Sequence, residues 1–390
     1  MVSFGKNVII GIVILVLLAG AYVFFANASS TGLFLGSSAS NEIKLGALLP
    51  LSGNFATIGG NTRNGMELAK LNLVKENQNR NISFVFEDSC YPKETIPAFT
   101  KLINVDNIDM LGMSFCIVGF VPIIPEVQKQ KIVAFSVAAS PDALLNQSSV
   151  FSFNKSIKLD SNHLATFAIN ELKAKTAAIV FYNTQLGADY NLHLTKSFEK
   201  LGGKVVYSGV TEVDRVDFRA ELTAIKEKNP DVIYIIQLAN SLGLFIKQAR
   251  ELGISAKILS QSTAEDPTVI TASQGASEGL IISSSQTRVE TQKMKEFKAE
   301  YNAVYKKDPD ALAAIAYDSI ILQIKAYEKC GGEVNCIQKE IFATKNYSGA
   351  SGVITMNNEG STDREPNFKI VKDKKFVLYE TNWFKKNKSS

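Results

Sequence analysis

Short apolar runs alternate with amphipathic helical stretches through most of this chain, a rhythm that calls for parallel sheets covered by helices on both faces. Ile43–Leu49 reads as a strand and is followed by a helix from about Asn61 to Val74, with Met66, Leu68, Ala69, Leu71 and Leu73 on its apolar face. Strands at Ile82–Phe86, Met110–Phe115 and Ile132–Ser136 then alternate with helices at Ile96–Ile103 and Val121–Gln130. The rhythm restarts with a strand at Ala177–Tyr182 and a helix at Tyr190–Leu201, closed by Gly202-Gly203 as a C-terminal cap. Strands at Lys204–Tyr207, Val232–Ile236 and Lys257–Leu259 alternate with helices at Phe218–Lys228 and Leu242–Leu252. Helices at Met294–Tyr305, Ala311–Lys329 and Val334–Ala343 follow, then strand-like pieces at Val353–Met356, Phe368–Val371 and Phe376–Tyr379. A chain of 390 residues exceeds what one core usually organises. Two similar lobes, with the chain crossing between them more than once, are therefore expected.

The first thirty residues set the compartment. Val8 to Ala26 carries no charged or strongly polar side chain. As a helix it would reach about 28 Å, near the roughly 30 Å of a bilayer's hydrocarbon. Lys6 precedes the run and no Lys or Arg follows until Lys44, which predicts a single pass with the N-terminus inside. The rival reading is a signal peptide cleaved after Ala26-Asn27-Ala28, but secretory apolar regions are usually shorter. Both readings export the rest of the chain. Residues 27–41, rich in Ser, Gly and Asn, read as a flexible linker.

Export permits disulfides, and there are four cysteines: Cys90, Cys116, Cys330 and Cys336. Three pairings are possible in principle. Cys330 and Cys336 would close a small local loop, while Cys90 and Cys116 each follow a strand in neighbouring βα units. Two structural disulfides are the reading adopted. Metal binding lacks CxxC spacing and histidine partners, and no metal is expected.

Catalytic and cofactor signals are weak throughout. Only two histidines occur, His163 and His193, both within expected helices and with nothing to pair them. No G-x-G-x-x-G follows the first strand and no phosphate-binding G-x-x-x-x-G-K-[ST] is present, so no cofactor is expected. Gly112-Met113-Ser114-Phe115-Cys116 resembles a nucleophile elbow but lacks the second glycine and an activating histidine. Lys and Arg total 42 against 38 Asp and Glu, scattered rather than striped, which argues against nucleic acid. What remains is the loops beyond the carboxyl ends of the strands, where open α/β sheets bind ligands. Binding is favoured over chemistry, and no enzyme activity is expected.

Specific residues then match a family. Ile43-Lys-Leu-Gly-Ala-Leu-Leu-Pro-Leu-Ser-Gly53 and Asn64-Gly65-Met-Glu-Leu-Ala69 resemble the opening of the leucine/isoleucine/valine-binding proteins. These are the type I periplasmic solute-binding proteins of branched-chain amino-acid ABC transporters. The similarity continues through Glu87–Lys93, Gly112–Cys116, Ser136–Ser140, Phe198–Gly203, Asp217–Arg219, Lys247–Gly253, Ala316–Asp318 and Thr344–Thr355. It spans about 43 to 380 in collinear order. The resemblance implies two Rossmann-like lobes joined by a three-strand hinge, closing on a small-molecule ligand, with ABC permease subunits as partners. It also supports a Cys90–Cys116 disulfide. On this basis residues 1–7 form a cytoplasmic stub, 8–26 an anchor and 27–41 a linker. Residues 42–158 with 286–347 form the first lobe, and 159–285 with 348–390 the second.

The pocket departs from the pattern that the resemblance implies. Ala139 and Ser140 match the loop that holds an amino-acid ligand. Where the family places a serine after the second cysteine stands Ile117, and the usual threonine three residues on is Phe120. The acidic position is Ser262, the nearest acids being Glu265 and Asp266. Ile58, Leu186 and Leu238 replace aromatic positions. An ammonium buried without a carboxylate partner costs several kcal/mol, so such a pocket favours an apolar, uncharged ligand. The expected function is a membrane-tethered, extracytoplasmic solute-binding protein of altered specificity. The alternative is a ligand-sensing ectodomain or a scaffold with no transport role.

Overall fold

A computed structural model describes residues 42–138, 140–285 and 290–380. The first lobe opens with β1 (Glu42–Leu49), α1 (Ala56–Glu76), β2 (Asn81–Asp88), α2 (Pro92–Asn104) and β3 (Met110–Ser114). Short helices α3 (Ile117–Phe120) and α4 (Ile124–Lys129) lead to β4 (Ala134–Ser136) and β5 (Val150–Ser152). The second lobe runs through α5 (Ile157–Asn170), β6 (Thr176–Tyr182), α6 (Gln185–Lys200), β7 (Lys204–Thr211), α7 (Arg219–Lys228) and β8 (Val232–Ile236). It continues with α8 (Ala239–Glu251), β9 (Lys257–Ser260), α9 (Pro267–Ala272) and β10 (Ile281–Ser283). Three helices follow: α10 (Gln292–Tyr305), α11 (Ala311–Cys330) and α12 (Val334–Phe342). The described chain ends in β11 (Tyr347–Gly349), β12 (Gly352–Met356), β13 (Thr362–Asp363), β14 (Phe368–Lys372) and β15 (Lys375–Leu378).

Two sheets carry the architecture. The first has the order β2-β1-β3-β4-β5, and the second β15-β14-β10-β9-β8-β6-β7. Counted from their own first strands, both lobes repeat one doubly wound order, second-first-third-fourth-fifth, so each has a topological switch point beside its first strand. The central pairings are parallel, while β14 and β15 add an antiparallel edge to the second sheet. Central strands buried on both faces need continuous apolar sequence. Val232-Ile-Tyr-Ile-Ile236 supplies it and is buried throughout. This is the two-lobed type I periplasmic-binding fold expected above.

The late helices return to the first lobe. Phe297, Tyr301, Ile315, Ile320, Ile324 and Ile341 share a core with Leu45, Met66 and Met113. Helices α1 and α11 cross so closely that a Cβ on Gly65 would lie 2.1 Å from the Ala313 carbonyl oxygen. Asp310 caps α11 by accepting from the Ala313 amide at 2.8 Å. Ala350, Ile354 and Met356 also pack into this core. The boundary expected at 347/348 therefore runs through the small β11-β12-β13 sheet. Both disulfides, Cys90–Cys116 and Cys330–Cys336, are formed, with Cα separations of 4.9 and 5.6 Å.

Among the described residues no helix is long and apolar enough to cross a membrane. The Val8–Ala26 run, expected to do so, lies outside them, as do the linker and residues 381–390.

Candidate functional site

The chain passes between the lobes after β5, after β10 and after β13, and one arginine ties these crossings together. Arg364 is buried and donates to the Phe153 and Ser351 carbonyls at 2.9 Å and to the Ser285 carbonyl at 3.5 Å. Burial pushes its guanidinium down to about 10, against the charge of nearby Asp318. Asp318 accepts from the Ala350 and Ser351 amides at 2.7 Å and from the Ser351 hydroxyl at 2.6 Å. Asn154 adds a second tie, accepting from the Ser285 hydroxyl at 3.1 Å through its side chain and from the Thr362 amide at 3.2 Å through its carbonyl.

A buried ionic cluster lies beside these crossings. Lys155 Nζ approaches Asp160 Oδ1 to 2.6 Å and donates to the Ser284 carbonyl at 3.2 Å. Asp160 Oδ2 accepts from the Tyr190 hydroxyl at 2.8 Å and the Ser283 hydroxyl at 3.0 Å. Burial, then the Lys155 charge, pushes His163 down to about 4. Its Nδ1 is buried without a hydrogen-bond partner.

Each residue expected in the pocket follows the carboxyl end of a strand. On the first lobe Ile58 lies half-buried in the first turn of α1, after β1. The preceding loop is fastened by Asp88, whose Oδ1 accepts from the Leu51 and Ser52 amides. The Ser52 hydroxyl and these amides hold that carboxyl below its usual range. Ile117 and Phe120 follow β3. Both are buried, Phe120 completely, in an apolar cluster with Phe99, Leu102, Ile124 and Leu144. The Cys90–Cys116 bridge brings the two loops so close that a Cβ on Gly119 would lie 2.2 Å from Thr95 Oγ1. Ala139 lies outside the described residues. Ser140 is buried with its hydroxyl unpartnered, and its amide and carbonyl bond to Lys155 and Ile157. The cleft loop is thus coupled directly to the first crossing.

On the second lobe Leu186, Leu238 and Ser262 follow β6, β8 and β9, and all three are half-buried. Leu238 precedes α8, and Ser262 opens a 3-10 turn. Leu186 packs against the second-lobe core and also against the cluster holding Ile117 and Phe120. Leu186 thus touches apolar clusters of both lobes. The acids near Ser262 are engaged elsewhere: Glu265 pairs with Lys369, and Asp266 caps α9 by accepting from the Thr268 amide at 2.7 Å.

Two polar features escaped the sequence reading. Gln237, directly after β8, donates to Thr211 Oγ1 at 2.6 Å, while its side-chain oxygen is buried without a partner. On α6, Asp189 is almost fully buried, accepting from Gln185 Nε2 at 2.7 Å and from the Asp142 amide of the other lobe at 3.0 Å. The signal available was the spacing of Gln185, Asp189 and His193, which puts three polar groups on one helical face.

Comparison with known proteins agrees with this fold. A family described as periplasmic binding protein matches residues 42–368. The leucine-, isoleucine-, valine-, threonine- and alanine-binding protein of Pseudomonas aeruginosa is 22% identical over 315 residues, covering 79% of this chain and 83% of that protein. The leucine-binding protein LivK of Thermotoga maritima superposes with a TM-score of 0.79 at 24% identity, covering 87% and 98%. An ABC-transporter solute-binding protein of R. palustris, solved in complex with benzoate, superposes at 0.75 with 21% identity, covering 86% and 95%. With its matched residues running from β1 to the start of β14, the chain belongs to the periplasmic binding protein family.

Proposed function

We propose that this chain is a non-enzymatic, extracytoplasmic solute-binding protein that hands a small molecule to ABC permease subunits. It would be held to the membrane by Val8–Ala26. Its ligand would have an apolar body and no ammonium group. The observation that carries the ligand class is the state of the acids around Ser262: Glu265 and Asp266 are both committed to other partners. Leu186 packs against the apolar cluster that holds Ile117, and such surroundings suit a hydrocarbon or aromatic body. The unpartnered Ser140 hydroxyl and Gln237 oxygen suit one neutral polar group. The structural relative holding benzoate supports the idea that this fold accepts an aromatic ligand without an ammonium.

Mass spectrometry of small molecules released from the full chain, purified from its own membranes, tests the ligand class. An apolar-bodied compound without an ammonium is expected, and release of a free amino acid would refute it. Fractionation tests the anchor: the chain should stay with membranes through high salt and carbonate, whereas a mature N-terminus at Ser29 would show cleavage.

A further inference from the structure

One face of α6 is turned toward the first lobe. Gln185, Asp189 and His193 recur at intervals of four residues, so they stack along a single stripe, with Leu186 beside it. The turn they meet, Pro141–Leu144, belongs to the first lobe, since Leu144 packs with Phe120 and Ile124. Asp189 Oδ2 accepts from the Asp142 amide at 3.0 Å. His193 Nε2 lies 2.9 Å and 3.0 Å from the two Asp142 carboxylate oxygens. Leu186 adds apolar contact with both lobes at the same place.

All of these contacts join residues on opposite sides of the hinge, and Asp189 is only 4% exposed where they meet. Opening the lobes would separate Asp189 from the Asp142 amide and His193 from the Asp142 carboxylate, and would uncover Leu186. Hydrogen bonds involving a charged partner are strong enough to bias a two-state equilibrium. We propose that Gln185, Leu186, Asp189 and His193 form a latch with the Asp142 turn that holds the lobes closed without a ligand. Gln185 is a positioning residue here: its amide holds the second Asp189 oxygen, at 2.7 Å, and so aims the first at Asp142. The latch rests on the fold alone, so it stands even if the cleft binds nothing.

The test is a distance measurement on the full chain in detergent. All four native cysteines are paired, so Gln130→Cys on the first lobe and Lys200→Cys on the second give the only free thiols for a spin-label pair. Without ligand, the otherwise unaltered chain should show one predominant short distance. His193→Ala and Asp189→Ala should each shift population to a longer distance, changing the closed-to-open ratio by roughly tenfold or more. Should Asp189→Ala fail to fold because that side chain is buried, His193→Ala and Leu186→Ala alter half-buried positions and carry the measurement alone. A predominantly open chain without ligand, or distributions unchanged in these variants, would overturn the latch.

Discussion

Lys155 and Asp160 form an ion pair at 2.6 Å with both side chains closed off from water, one on the first crossing between the lobes and the other in the first turn of α5. Burying two charges is costly, and the arrangement holds because every contact supports another. Ser284 accepts from the lysine, while Tyr190 and Ser283 donate to the carboxylate. Removing one partner strands the other. Lys155→Met should therefore destabilise the protein by about 3–5 kcal/mol, whereas Lys155→Met with Asp160→Asn should recover much of the loss. Denaturant unfolding of the two variants measures it. Equal losses in the single and double variants would mean that the pair acts through packing and not charge.

Acid stability should reflect two opposed groups. Burial pushes His163 down to about 4 from its ordinary 6.5. As pH falls from 6.5 towards 4 the unfolded chain takes up this proton and the folded one does not, so stability is lost, by at most about 3 kcal/mol. Burial pushes Asp318 up to about 6 from 3.8, despite its hydrogen bonds. Over pH 6 to 4 the folded chain takes up that proton first, so stability is gained by a similar amount. The two contributions nearly cancel in the native protein. His163→Gln removes the first alone, and its stability relative to wild type should rise by roughly 3 kcal/mol on acidification from pH 6.5 to 4. Parallel pH curves for the two proteins would contradict this assignment.

The sheets and the Cys330–Cys336 loop were readable because their signals are local, whereas Cys90–Cys116 joins residues 26 apart and drew on the family resemblance as well. Alternating apolar runs mark the strands of both doubly wound sheets, and the cysteines sit at strand or helix ends. Short elements such as β10 and α9 carried too little periodicity to stand out. The cleft was harder to read. Phe120 reads equally well as a pocket wall or a core residue, because an apolar side chain after a strand is compatible with both, and here it is fully buried. His193, read as a helix residue without a partner, meets Asp142 only through the folding of one lobe onto the other. Lys155 and Asp160 are five residues apart, but the Ser283 and Ser284 contacts that complete their cluster come from more than a hundred residues away. No pattern along the chain encodes that.

Two glycines near the N-terminal ends of α6 and α1 should respond oppositely to alanine. A Cβ on Gly187 would lie 2.1 Å from the Tyr182 carbonyl oxygen, where α6 leaves β6 beside Leu186. Gly187→Ala must displace the helix or the strand end, at a cost of about 1–3 kcal/mol. Around Gly60, in α1, a Cβ would meet nothing within 4 Å. Gly60→Ala should stabilise by about 0.5–1 kcal/mol through helix propensity alone. Thermal unfolding distinguishes them, and a stabilised Gly187→Ala would show that the contact is not tight.

The sharpest expectation is that free leucine and isoleucine bind poorly. A zwitterion needs a negative partner for its ammonium, and Ser262 offers only a hydroxyl where the resemblance implies an acid. The neighbouring acids do not substitute while Glu265 pairs with Lys369 and Asp266 caps α9. Ile117 also removes a donor for the ligand carboxylate. Each missing charge-assisted contact is worth roughly 1.5–3 kcal/mol, so losing both weakens binding by about two to four orders of magnitude. Apolar walls recover little, because they gain no partner for either charge. Titration calorimetry of the purified chain with leucine and isoleucine measures this, and micromolar or tighter binding would end the argument. Ser262→Glu then asks whether the acid is the missing element without disturbing Ile117, whose truncation to serine would cut into the cluster around Phe120. A gain of tenfold or more in leucine affinity is expected from that change; no gain would mean that Ser262 does not face the ligand.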